Sequence, residues 1–257
     1  MNNFGILFDL DGVIYQGEEL ITGAKESISL LRQNNIPFRF ITNTTRMTKK
    51  NLVTRLQSMG LALEVNEVFA APHAAVEYCK IEGYNNIELV VPDRKMEDDF
   101  ADFELHTENP QALVLGDMGG QFTFDLLNSL FKKILNGAEI VAMHKNKYWR
   151  SGNELTLDLG AFVSALEFAS GKEAVVIGKP NPHLFQLAVR PWGLSFQSIY
   201  MVGDDIGGDI GGANNVGMQS ILVKTGKYRE ESLKRSEITP DFIINSVADL
   251  PELLQLN

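Results

Sequence analysis

The sequence predicts an α/β fold: a doubly wound, parallel-sheet (Rossmann-like) core interrupted by an inserted α/β domain. Three observations predict it. Short runs that are apolar at nearly every position, such as 4–9 (FGILFD), read as strands buried on both faces, as a parallel sheet covered by helices requires. Amphipathic stretches of helical period separate these runs, and β-α-β order implies right-handed crossovers. The same grammar returns at 182–222, after a stretch with an alternation of its own. Residues 1–75 and 177–257 are therefore expected to build the core, and 76–176 the insert.

The elements follow in order. After the strand at 4–9, residues 23–34 place Ala24, Ile28 and Leu31 on one helix face. Residues 36–42 (IPFRFIT) read as the next strand. A helix over 46–59 turns Leu52, Val53, Leu56 and Met59 inward, and Gly60 suits its C-terminal cap. The insert carries strands near 87–91, 111–115 and 139–143 and helices near 121–136 and 160–170. The core resumes with a helix at 182–190 opened by Pro182, a strand at 198–203, a helix at 208–216 and a strand at 219–223.

Composition narrows the class. With 257 residues, length alone gives about 1.7 domains. Hydrophobic residues are 44% and charged residues 22%, the balance of a globular protein and not of a disordered one. The net charge of −10 repels phosphate backbones and anionic headgroups, so neither nucleic acid nor a membrane is the expected partner. A local metal can still reverse the sign for a small anionic substrate. The amino-terminal residues lack the basic region of a signal peptide, and no apolar run approaches membrane-spanning length. One cysteine, Cys79, excludes an intrachain disulfide and suits a reducing compartment, so a soluble, cytoplasmic protein is expected.

Four groups of residues stand at strand ends. Asp9 and Asp11 follow the first strand two positions apart, so both carboxylates can meet at the edge where open α/β sheets bind ligands. Such a pair repels unless a cation or shared proton intervenes, which points to Mg²⁺, and Gly12 frees a backbone N–H for an anion. Thr42 and Asn43 end the second strand, where hydroxyls and amides can grip phosphate or simply cap a helix. Lys179 follows the apolar run 174–177 and can neutralise a phosphoryl group. Asp204, Asp205 and Asp209 crowd a glycine-rich loop after 198–202. One of them can complete a metal site, and another can orient a lysine or a metal-bound water. No G-x-G-x-x-G, P-loop or G-x-S-x-G pattern is present, the four histidines are scattered, and Cys79 reads as core.

In this order, with FDLDGVIYQG, ITNTTR, GKPNP and GDDIGGDIGGANNVGMQSILVKTGKY, the chain resembles the haloacid dehalogenase superfamily, in its branch of phosphatases with a large α/β cap. The resemblance spans essentially the whole chain and makes the insert the cap. It implies that Asp9 is the nucleophile and Asp11 the acid/base, and that Thr42 and Lys179 hold phosphate. It also implies Mg²⁺ on Asp9, Asp204 and the backbone carbonyl of Asp11, with Asp209 or Asp205 supporting it from behind. Asn43 and Gly12 would add backbone amides. Because relatives that cleave carbon–halogen bonds lack the second Asp, the resemblance is to the phosphatases, and it allows a homodimer through the caps.

The expected activity is Mg²⁺-dependent hydrolysis of a small phosphomonoester, phosphoramidate or pyrophosphate through an aspartyl-phosphate. The alternatives are a phosphoryl-accepting regulatory module and an idle binding protein on the same fold. In the cap, Asp158 and Lys145 stand beside the start of a helix near Gly160 and could read the leaving group. The competing reading makes Asp158 a helix cap and leaves the lysines solvated.

Overall fold

A computed structural model describes residues 3–151 and 154–256. The chain runs through β1 (Gly5–Phe8), a small hairpin of β2 (Tyr15–Gln16) and β3 (Glu19–Leu20), α1 (Ala24–Gln33), β4 (Phe38–Thr42), α2 (Lys49–Ser58) and β5 (Val68–Ala70). There follow α3 (Ala71–Ile81), β6 (Asn86–Val90), β7 (Glu104–Leu105), β8 (Ala112–Leu115), α4 (Phe124–Leu135) and β9 (Glu139–Ala142). A second hairpin, β10 (Tyr148–Ser151) and β11 (Glu154–Leu157), leads to α5 (Leu159–Ser170) and β12 (Val175–Val176). The last stretch holds α6 (Pro182–Val189), β13 (Ile199–Gly203), α7 (Gly212–Asn215), β14 (Gln219–Val223), α8 (Glu230–Arg235), β15 (Phe242–Ile244) and α9 (Leu250–Leu253). Among the described residues no helix is long and apolar enough to cross a membrane.

The chain divides into two compact units. The first comprises residues up to Thr42, Lys50–Phe69 and the residues from Lys179 onward; the second comprises Asn43–Lys49 and Ala70–Gly178. The first unit holds a six-stranded sheet in the order β15-β14-β13-β1-β4-β5. β1 lies at its centre because every residue of Gly5–Phe8 is buried, and it pairs in parallel with β13 on one side and β4 on the other. Phe8 packs its ring against Phe38 and Phe40, which closes the core under this strand. The chain leaves β1 toward β4 and returns to its other flank as β13, so the strand order reverses here, and the crevice at such a point is where ligands bind. Register makes the placement definite. Phe8 stands opposite Val202 and Phe40, so Asp9, Asp204 and Thr42 all emerge at the same carboxyl edge.

The second unit has its own five-stranded sheet, β12-β9-β8-β6-β7, parallel throughout. Leu130 and Ile134 of α4 and Val163 and Leu166 of α5 bury against Leu113, Leu115 and Ile140. This unit begins earlier than the residue 76 expected from the sequence. The physical reason is α3, one uninterrupted helix whose Ala71, Ala74, Ala75, Val76 and Cys79 are all buried. The short segment 43–49 belongs with it because Arg46 pairs with Asp117 at 2.6 Å and the Lys49 N–H donates to Asp99 at 3.1 Å.

Two readings of elements need correction. The helix expected at 208–216 begins as π-helical turns over Ile206–Gly211 and becomes α only at α7, because the Asp205 side chain accepts from the N–H groups of Gly207 and Gly208. The stretch 144–157 holds a hairpin that periodicity did not reveal. All four residues of β11 are exposed, so no buried face imposes an alternation.

Candidate active site

Asp9 is the first residue past β1. Its N–H continues the ladder by donating to the Val202 carbonyl at 2.9 Å, and its side chain is buried. The chain then folds back on itself. The N–H groups of Val13, Ile14 and Tyr15 all converge on the Leu10 carbonyl, while the Gly12 N–H donates to the Tyr15 carbonyl at 2.7 Å. Gly12 has φ +86°, and a Cβ there would meet the Asp204 carboxylate and the Gly226 backbone. This corrects the expectation for Gly12: its amide is spent inside the loop, and its role is to permit the close approach of Asp204. The amides of Leu10 and Asp11, by contrast, have no acceptor among the described residues.

Lys179 crosses the sheet edge to this loop. Its ammonium donates to Asp9 Oδ1 at 2.5 Å and pairs with Asp209 Oδ1 at 2.7 Å, with all three side chains buried. Burial by itself would lower the lysine pKa, but the charges of Asp209 and Asp9 outweigh it and raise the group above its ordinary value. The ammonium is therefore a fixed positive charge.

Asp204 ends the neighbouring strand β13. Its Oδ2 accepts the Lys227 N–H at 2.6 Å, whereas its Oδ1 is buried with no hydrogen-bond partner among the described residues. Burial, then the charges of Asp9 and Asp209, push its carboxyl up to about 7. Burial also lifts Asp209 to about 6, with Lys179 opposing and Asp9 adding to the rise. One oxygen each of Asp9, Asp204 and Asp209 lie within 4.8 Å of one another. The single Lys179 charge does not balance three carboxylates this close, and an all-oxygen donor set with one orphaned oxygen fits a hard divalent ion.

The three aspartates of the glycine-rich loop thus separate by role. Asp204 offers the unsatisfied oxygen. Asp209 has both oxygens engaged, one by Lys179 and the other by the N–H groups of Asp204 and Asp205 at 3.2 Å. Asp205 shapes the loop, accepting from Gly207 at 3.0 Å and Gly208 at 2.9 Å. Burial would raise its carboxyl, but the Gly208 N–H, Lys227 and the Gly207 N–H outweigh that and hold it below its ordinary value. Asp11 opens to solvent beside Asp9. Partial burial, and then the Asp9 charge, raise its carboxyl above the ordinary range. Thr42 is buried at the end of β4, and Asn43 is half-buried in the second unit.

In the insert, the structure shows the helix-cap geometry that was one of the two readings of Asp158. Asp158 is the N-cap of α5, buried, accepting the Leu159 N–H at 2.8 Å and lying 3.7 Å from His144 Nε2. The Lys145 ammonium is held by Glu167 at 2.6 Å. Cys79 is buried, and burial pushes its thiol up to about 12, as a core residue and not a nucleophile. Sequence reasoning missed Lys227, whose amide fixes Asp204; the T-G-K run after β14, another strand end at the same edge, was the available signal. It also missed Arg46, which pairs with Asp117 and stacks 5.0 Å from the Trp149 ring.

A family profile described as haloacid dehalogenase-like hydrolase matches residues 6–106, and a second, described as HAD-hydrolase-like, matches 176–250. The chain is 37% identical over 225 residues to haloacid dehalogenase-like hydrolase domain-containing protein 2 of Bos taurus, covering 87% of this chain and 85% of that one. It is 32% identical over 256 residues to phospholysine phosphohistidine inorganic pyrophosphate phosphatase of Homo sapiens, covering 97% and 93%. Among solved structures, 4-nitrophenylphosphatase from Thermotoga maritima superposes with a TM-score of 0.88 at 28% identity, covering 96% of this chain and 95% of that one. The p-nitrophenyl phosphatase from Archaeoglobus fulgidus shares the fold with a TM-score of 0.90 at 24% identity, covering 98% and 100%.

Proposed function

The chain belongs to the haloacid dehalogenase-like hydrolases, and we propose that Asp9 is its nucleophile, Asp11 its acid and base, and Lys179, Thr42 and Asn43 its hold on the phosphoryl group. It is a phosphatase. The observation that carries the residue assignment is the buried Lys179 ammonium shared by Asp9 and Asp209, beside an Asp204 oxygen that has no partner among the described residues.

The chemistry follows from those residues. Lys179 fixes the Asp9 carboxylate at the strand end and brings positive charge to an incoming phosphoryl group. Asp9 attacks phosphorus, the bond from phosphorus to the leaving oxygen or nitrogen breaks, and Asp11 donates a proton to the departing atom. Asp11 then takes a proton from the water that opens the aspartyl-phosphate, which releases phosphate and restores the Asp9 carboxylate and the protonated Asp11. The Leu10 and Asp11 amides are the donors available to phosphoryl oxygens, in place of Gly12. Mg²⁺, held by Asp9, Asp204 and the Asp11 carbonyl, would neutralise charge between the attacking carboxylate and the phosphoryl group.

The substrate is a small phosphomonoester, phosphoramidate or pyrophosphate, the classes named in the relatives. We read the second compact unit as the α/β cap of this family. The single buried cysteine suits a cytoplasmic setting. Phosphate release from p-nitrophenyl phosphate, with and without Mg²⁺, tests the reading. Turnover is expected only with the divalent ion and is expected to vanish in Asp9→Asn. Turnover of Asp9→Asn within about tenfold of wild type, in protein checked for deamidation, would remove Asp9 as nucleophile.

A further inference from the structure

The loop that carries Asp11 is not free-standing. It is sewn to the β2–β3 hairpin by two reciprocal hydrogen bonds, Gly12 N–H to the Tyr15 carbonyl at 2.7 Å and Tyr15 N–H to the Leu10 carbonyl at 3.2 Å, which make an isolated bridge between Asp11 and Tyr15. Whatever moves Tyr15 therefore moves Asp11. Each strand of that hairpin is two residues long, too short to hold itself together in water. Something outside it must fix it.

Arg55 of α2 does so from three directions. Its guanidinium lies 5.1 Å from the centre of the Tyr15 ring, and its Nη2 donates to the Gly17 carbonyl at 3.2 Å and to Glu18 Oε1 at 3.2 Å. The ion pair contributes little, because Glu18 is 84% exposed. The ring and the hairpin-turn carbonyl carry the clamp: Tyr15 is buried, and a planar guanidinium can cover a ring while donating sideways, which an ammonium cannot match. None of these contacts reaches the nucleophile or the carboxylate cluster.

We propose that Arg55 is a positioning residue that clamps the 15–20 hairpin to α2 and thereby holds Asp11 where it can protonate the leaving group. The inference rests on the reading of Asp11 as the acid, and the chemistry lets the two be tested apart. A p-nitrophenolate leaves without a proton, whereas an alkoxide needs one, so a displaced acid costs most on the poorest leaving group.

The experiment measures kcat and KM for phosphate monoesters of graded leaving-group basicity, from p-nitrophenyl phosphate to a simple alkyl phosphate. It compares wild type, Arg55→Gln, Arg55→Lys and Asp11→Asn, each checked for an unchanged melting profile. Arg55→Gln is expected to lose about tenfold more kcat/KM on the alkyl ester than on p-nitrophenyl phosphate, in kcat and not in KM, since misplacing a catalytic group by about 1 Å costs on that order or more. Arg55→Lys should fall between Arg55→Gln and wild type. If Asp11→Asn steepens the leaving-group dependence and Arg55→Gln lowers all substrates equally, Arg55 is only a structural tie and the proposal falls. If Asp11→Asn does not steepen it, the assignment of Asp11 falls first, and this proposal with it.

Discussion

The Lys179 ammonium lies 2.5 Å from Asp9 and 2.7 Å from Asp209, in surroundings whose burial alone would lower its pKa. A buried charge of this kind depends on every partner, and removing one costs about 3–5 kcal/mol. Asp209→Ala is therefore expected to lower the melting temperature clearly, because it also frees the N–H groups of Asp204 and Asp205. Asp204→Ala removes a carboxylate with one oxygen unsatisfied. It should leave the fold intact while raising the Mg²⁺ concentration for half-maximal activity about tenfold or more. Thermal melts and Mg²⁺ titrations of the two variants check the contrast; equal behaviour would merge the roles assigned to them. The run G-D-D-I-G-G-D announces a carboxylate loop but not which member faces Asp9. That choice depends on the π-helical turns of Ile206–Gly211, and so on the Asp205 cap at their start.

At the scale of elements, long buried strands and amphipathic helices were legible, and short or exposed ones were not. β1 and β14 announced themselves because burial on both faces demands apolar residues at nearly every position. The β2–β3 hairpin was invisible, since two residues per strand carry no periodicity. In the β10–β11 hairpin, Tyr148, Leu155 and Leu157 are all exposed, so neither face selects for polarity. The start of α5 shows a local signal read correctly in one of its two senses. Asp158 is a cap, and its buried oxygen faces Leu159 N–H and His144. Asp158→Ala should thus destabilise by about 1 kcal/mol or somewhat more and reduce kcat/KM for a phosphoramidate and for p-nitrophenyl phosphate by the same factor. A selective loss on the phosphoramidate would return Asp158 to the role of reading the leaving group.

For the whole molecule, the carboxylate cluster links stability to pH, and the proposed metal site makes that link depend on a divalent ion. Asp204 at about 7 and Asp209 at about 6 bind protons more tightly in the folded chain than at their ordinary value of 3.8. The folded state then holds more protons than the unfolded state from about pH 4 upward, so the metal-free protein loses stability as pH rises through 7, by on the order of a few kcal/mol. A divalent ion held there would bind the ionised form and reverse this loss. Addition of Mg²⁺ is expected to raise the melting temperature strongly at pH 7.5 and weakly at pH 5. Calorimetric scans at the two pH values check it, and an equal Mg²⁺ effect at both would contradict the cluster as the metal site.

By itself the sequence determined the parallel α/β class, the strand ends that carry chemistry and the residue types found there. Each of these is a local property: an apolar run, a polar residue where it stops, and a chain direction that brings every such stop to one edge. Only the tertiary structure decided which groups meet across the chain. Lys179 and Asp9 are 170 residues apart, and Lys227 reaches Asp204 from the far side of β14. The structure also showed that the Gly12 amide is already taken and that Arg55 of α2 lies against the Tyr15 ring and donates to the Gly17 carbonyl of the hairpin beside Asp11. Spacing in a sequence reports how far a side chain lies along one element, whereas hydrogen-bond partners, burial and shifted pKa values arise where separate elements pack and exclude water.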